Sequence, residues 1–104
     1  MELPEAVTCS NLVVGETWTF LERRLDHRAA VAFVDAVRTS PRVAVHRVGK
    51  DVEADAWTWL RRHDERRYSL VDGTSFALMR RLRIRSALAF GGDFSAAGFE
   101  ELRP

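Results

Sequence analysis

Glu16, Asp72 and Asp93 are the acids whose placement could do chemistry. Glu16 shares helical spacing with Leu12, Val13 and Phe20, a face expected to turn inward. Asp72 follows Leu70 and Val71 and precedes Phe76, on a stripe expected to be buried. Asp93 stands behind two glycines at the end of the strand-like run "SALAF". A lone buried carboxylate is costly unless a cation or a donor meets it. Taken singly, Glu16 and Asp72 have an ordinary role, because acids in the first turn of a helix answer the free amides there. If all three acids meet at one sheet edge, they form an oxygen-ligand set for a hard divalent cation such as Mg²⁺ or Mn²⁺. Such an ion activates water and stabilises charge on a phosphate under attack.

The elements that must position these acids follow from caps and periodicity. "AVTCS" (6–10) reads as a strand, and Ser10 as the N-cap of a helix "NLVVGETWTFLERRL". Asp26 caps a second helix, "HRAAVAFVDAVRTS", which Pro41 stops. "RVAVHRV" (42–48) alternates as a strand does. Asp51 opens a third helix, "VEADAWTWLRRH", with Trp57 and Leu60 expected inside and Trp18 and Trp59 on faces away from the apolar stripes. Ser69 caps a fourth helix, "LVDGTSFALMRRLRI". "SALAF" (86–90) is then a strand, a glycine loop follows, and "FEEL" (99–102) is a last strand. The order predicts an α/β fold over residues 1–104 as one domain, a three-layer-like sandwich with a short, mostly parallel sheet flanked by helices.

Composition narrows the classes. A formal net charge of +1 gives no global reason for nucleic-acid, membrane or acidic partners. All but one of the 16 basic residues are arginine, which suits phosphate recognition but also fits a coding bias shared with the many alanines. No apolar run is long enough for a membrane span, and the acidic N-terminus is unlike a signal peptide. The single cysteine, Cys9, excludes an internal disulfide, suits a reducing cytoplasm and reads as a packing residue. Three scattered histidines show no zinc spacing, and the glycine loop lacks the lysine and helix start of a nucleotide-phosphate loop.

"TCSNLVVGETWTFLERRLDHRAAVAF" and "YSLVDGTSFALMRRLRIRSALAFGGDFSAAGFEEL" resemble the later part of a PIN domain of the VapC toxin type. In that family a hydroxyl and a glutamate open the first of these helices, matching Ser10 and Glu16. A Ser-x-x-Asp opens a later helix, matching Ser69 and Asp72. An Asp-x-x-Phe pattern and a Gly-Phe strand follow, and Phe94, Gly98 and Phe99 match. The resemblance implies a ribonuclease toxin of a toxin–antitoxin pair, using Mg²⁺ or Mn²⁺ held by acids. Glu16 and Asp72 would be the catalytic, metal-holding acids, Asp93 a further metal ligand, and Ser10 and Ser69 the orienting hydroxyls. Arg80 and Arg81, in a basic cluster with Arg83 and Arg85, would contact RNA or simply form a wet helix end.

Two departures bear on activity. The family's aspartate three positions before Phe94 is Gly91 here, and Asp93 lies two residues beyond it, about 7 Å along an extended chain. The family also begins with a strand carrying its first aspartate, upstream of the segment that matches "AVTCS". Without it, two strand edges would need each other or a second chain, so a homo-oligomer is expected. Two readings stay open: a cytoplasmic endoribonuclease, weakened or inactive, and a non-catalytic dimerising or antitoxin-binding module of the same descent. A third is an unrelated α/β interaction domain. No membrane and no nucleotide cofactor are expected.

Overall fold

Three of the helices start on the side chains that the spacing picks out. Ser10 Oγ accepts from the Val13 amide at 3.1 Å, Asp26 Oδ1 from the Ala29 amide at 2.8 Å, and Ser69 Oγ from the Asp72 amide at 3.0 Å. The structure, a computed structural model, describes residues 6–89 and 91–102. The acidic N-terminal residues and Phe90, expected to end a strand, lie outside the described residues. By its internal contacts the chain falls into two compact units, one ending at Arg47 and the other beginning at Val48.

The first unit runs β1 (Val7–Ser10), α1 (Asn11–Arg24), α2 (His27–Thr39) and β2 (Val43–His46). β1 and β2 pair in parallel, Val7 opposite Val43 and Ser10 opposite His46. The helices between them make the long crossover that a parallel pair requires. α1 does not lie as its apolar spacing predicts. Glu16 is exposed and Phe20 is 57% exposed, with the Arg24 guanidinium 5.7 Å from the Phe20 ring centre. The half-buried stripe of α1 runs instead through Val14, Thr17, Trp18 and Leu21. Both stripes have helical spacing, so periodicity alone could not choose between them.

The second unit runs α3 (Lys50–Leu60), α4 (Leu70–Leu82), β3 (Ser86–Leu88), α5 (Asp93–Ala96) and β4 (Glu100–Leu102). β3 and β4 are again parallel, Ser86 opposite Glu100 and Leu88 opposite Leu102. α4 carries the core: Phe76 is fully buried, and Ala77, Leu78 and Met79 are buried beside it. Thr74 is buried too, and its hydroxyl donates to the Val71 carbonyl, so no polar group is stranded there. α3 and α4 approach closely at Gly73, where a Cβ would stand 2.7 Å from Leu60 Cδ1 and force that side chain to shift.

The α/β class and the parallel pairing are as expected, but the described strands form two separate two-stranded sheets. Three local differences have clear causes. α4 ends at Leu82 because Arg83 turns left-handed (φ 57°), leaving "RI" beyond it. α3 starts behind Gly49, and Asp51 stands inside its first turn rather than capping it. The expected glycine loop contains a one-turn helix, α5, made possible where Gly91 and Gly92 reverse the chain at φ +88° and +87°. Among the described residues, no helix is long and apolar enough to cross a membrane.

Candidate functional site

Asp72 is fixed by its own helix. Its Oδ2 accepts the Ser69 amide at 2.9 Å while Ser69 Oγ accepts the Asp72 amide, a reciprocal capping box. The local role of the acid is therefore real, and it also leaves something over. Oδ1 takes no hydrogen bond among the described residues, so one carboxylate oxygen of a half-buried, rigidly held acid stays available. Ser69 orients Asp72 directly. Ser10 is buried and serves the start of α1, while Glu16 is exposed on the same helix. Glu16 and Ser10 belong to the first unit, Asp72, Ser69 and Asp93 to the second.

Asp93 begins α5, and its charge is already met. Arg66 Nε donates to Asp93 Oδ1 at 2.7 Å, and Arg66 Nη2 donates to the Gly91 carbonyl at 2.8 Å. One guanidinium thus clamps both ends of the glycine turn, and the Asp93 bond raises the Arg66 pKa. The pair is partly exposed, 40% and 37%, so it contributes little to stability. Its effect on Asp93 is nonetheless decisive, because a cation would have to displace Arg66 to gain that carboxylate. Nothing in sequence spacing connects Arg66 to Asp93, 27 positions away.

Tyr68 lies in the field of both acids. Its hydroxyl is buried without a hydrogen-bond partner among the described residues. Burial raises its pKa most, then Glu65; Arg66 opposes this, and Asp93 and Asp72 add to it. For a hard cation the oxygen donor of Asp72 fits in kind, while Asp93 does not fit as long as Arg66 holds it. Within either unit, no group of three or more His, Cys, Asp or Glu among the described residues is placed to hold a metal.

Arg80 and Arg81, the expected RNA-contacting pair, differ in their surroundings. Arg81 gives both Nε and Nη2 to Asp55 Oδ2, each at 2.8 Å. Arg80 lies 5.4 Å from the Trp59 ring centre and 5.1 Å from that of Phe99, and donates to the Ala97 carbonyl at 3.3 Å. Burial lowers its pKa, and among the described residues no carboxylate forms an ion pair with it. Both arginines line an open groove of about 430 Å³ with Asp55, Trp59, Arg62 and His63.

That groove also corrects the expected roles of the tryptophans. Trp57, expected inside, is 48% exposed, with its indole N–H to Glu53 at 3.4 Å. Trp59, expected on an outer face, packs against Phe76 at 5.1 Å and Tyr68 at 4.9 Å, and stacks nearly parallel on His63 at 3.9 Å. The His63 stack was not legible in sequence, because α3 ends at Leu60 and the turn beyond it brings His63 back onto Trp59. Cys9 is half-buried, and burial pushes its thiol pKa up, so the reactive thiolate is scarce at neutral pH.

Comparison with known proteins gives this geometry a family. The chain is 60% identical over 101 residues to the 23S rRNA-specific endonuclease VapC20 of Mycobacterium tuberculosis, in strains CDC 1551 and H37Rv alike, covering 97% of this chain and 76% of the relative. The crystal structure of Mycobacterium tuberculosis VapC20, a toxin described as cleaving the sarcin–ricin loop, superposes with a TM-score of 0.92, over 98% of this chain and 78% of that one. The PIN-domain model matches residues 1–100. With its Ser-x-x-Asp cap, its Phe94 and its Gly98–Phe99 step in place, the chain belongs to the PIN-domain family, VapC type.

Proposed function

We propose that this chain is an Mg²⁺- or Mn²⁺-dependent endoribonuclease toxin, weakened by the loss of one acid, whose target is the sarcin–ricin loop of 23S rRNA. The observation that carries the reading is 60% identity, over nearly the whole chain, to an endonuclease named for that RNA. Its catalytic acids are Asp72 in the second unit and Glu16 in the first. Asp72 is oriented before any ligand arrives, because the capping box holds one oxygen and leaves the other free. A bound divalent ion would supply an activated water and compensate charge on the phosphate. Arg80 and Arg81 bring the RNA backbone to the second unit by charge. The protein acts in the cytoplasm, where its RNA is, with an antitoxin as protein partner and a second copy of itself; exposed Phe20 and Leu25 in the first unit support a protein partner.

A second reading has its own support. Gly91 supplies no carboxylate where the family carries one, and Arg66 engages the nearest substitute, Asp93. Both observations favour a non-catalytic module that keeps the family's surface and binds an antitoxin.

Cleavage of a fluorescent sarcin–ricin hairpin in Mn²⁺, with and without EDTA, separates the two. We expect slow, chelator-sensitive cleavage that Asp72→Asn lowers by about a hundredfold or more. Asparagine keeps an oxygen to accept the Ser69 amide, so circular dichroism should show the helices intact. Complete absence of cleavage would leave the binding module as the function. Cleavage indifferent to both EDTA and the substitution would belong to a contaminating nuclease.

A further inference from the structure

Arg80 is held in an unusual way for a surface cation. Two aromatic rings and one backbone carbonyl position its guanidinium, which is partly withdrawn from water, yet no carboxylate among the described residues neutralises it. Structural arginines normally end on an acid, as Arg81 does on Asp55 and Arg66 on Asp93. A guanidinium lying over aromatic rings is weakly hydrated and keeps donors for a ligand. The groove beside it has the matching composition: Arg62, Arg80 and Arg81 against one acid, Asp55, which Arg81 already engages. Its net character calls for an anion.

The same groove offers a flat surface. His63 lies parallel on Trp59 with 14° between the rings, and its Nδ1 is tied to Glu65 at 2.9 Å. One face of the imidazole is therefore covered and its in-plane orientation set, while 37% of the side chain remains accessible. A ring braced from behind and open in front is a stacking platform, which accepts any base because every base has a π-face. About 430 Å³ of open volume has room for roughly one nucleotide.

We propose that the groove between α3 and α4 is a single-stranded RNA subsite, in which a base stacks on His63 and the adjoining phosphates are taken by Arg80 and Arg62. The subsite rests on the ribonuclease reading for its ligand but uses none of the acids assigned to cleavage. It would hold the strand outside the reacting centre and set which nucleotides flank the cut. A protein helix is the less suitable occupant, since the lining offers two arginines with no acid partner among the described residues and a partly exposed imidazole.

The test measures binding without cleavage: fluorescence anisotropy of a short unstructured RNA in EDTA, with the chain in its Asp72→Asn form. His63→Ala should weaken binding about tenfold, and His63→Phe, which keeps a ring, should restore most of it. Arg80→Gln should weaken binding and lower the slope of log affinity against log salt by about 0.7, whereas Arg80→Lys should keep that slope. Loss in the alanine and glutamine forms but retention in the phenylalanine and lysine forms supports the subsite and excludes misfolding. Equal binding by all forms overturns it, even if cleavage assays uphold the nuclease. A change in oligomeric state with unchanged RNA affinity also overturns it and assigns the groove to a protein. If the subsite binds as described while no cleavage is ever seen, the nuclease reading falls and the subsite stands.

Discussion

Phe76→Ala should lower the unfolding free energy by about 3–5 kcal/mol, the range for truncating a fully buried phenylalanine. The residue is fully buried, and four rings surround it, from α3, from α5 and from the segments just before α4 and β4. Trp59 of α3 meets it at 5.1 Å, Tyr68 at 5.6 Å, Phe94 of α5 at 4.9 Å and Phe99 before β4 at 5.6 Å. Three of these contacts are edge-on and Phe99 is stacked, arrangements that add to simple area burial. Removing the ring leaves a cavity that four rigid neighbours cannot fill. Against a typical domain stability of about 5–15 kcal/mol, much of the margin would vanish. Urea unfolding followed by circular dichroism measures this directly. A change below about 1 kcal/mol would mean that the cluster repacks and that Phe76 is not its keystone.

Gly91→Asp should raise affinity for Mn²⁺ by about tenfold and bring faster cleavage with it, because charge count is a main determinant of hard-cation affinity. The substitution puts a carboxylate at the position where the family carries one. Two structural facts set its terms. A Cβ at Gly91 would meet nothing within 4 Å, so there is room. The backbone there has φ +88°, however, and a non-glycine residue in that region is strained by about 1–2 kcal/mol. Aspartate is among the residues that tolerate left-handed backbone best, so a slightly lower melting temperature should accompany the gain. Mn²⁺ binding read by electron paramagnetic resonance, in parallel with cleavage, decides the matter. Unchanged affinity would mean that Arg66, which already bonds the Gly91 carbonyl, has captured the new carboxylate. Adding Arg66→Gln should then release the gain; if it does not, position 91 is not a ligand position in this chain.

What was legible in sequence was what is local. The caps at Ser10, Asp26 and Ser69 act over three residues, and each was readable from residue type and the apolar run behind it. The parallel pairing followed from the alternation of strands and helices. Phase was harder. On α3, Trp57 and Trp59 both stand near an apolar pattern, and what settles the choice is the fully buried Ala56, which brings Trp59 and Leu60 to its own face. On α1 the same ambiguity put Glu16 and Phe20 inside on paper and outside in the structure. Long-range pairings were not legible at all. Arg66 meets Asp93, Arg81 meets Asp55, and Arg80 meets Phe99 only because the fold returns those segments to each other.

The two parallel pairs also bear on how the chain comes together. β3 meets β4 across a short return through a single helical turn, whereas β1 meets β2 only after two full helices have been laid down. Closing the longer span costs about 1 kcal/mol more in chain entropy, and a parallel pair recovers none of it before the strands touch. Made from its N-terminus, the chain therefore emerges with its slower-closing half first. Thr8, Cys9 and their neighbours wait for the segment that pairs with them, while the half that carries Phe76 can close soon after its last strand is made.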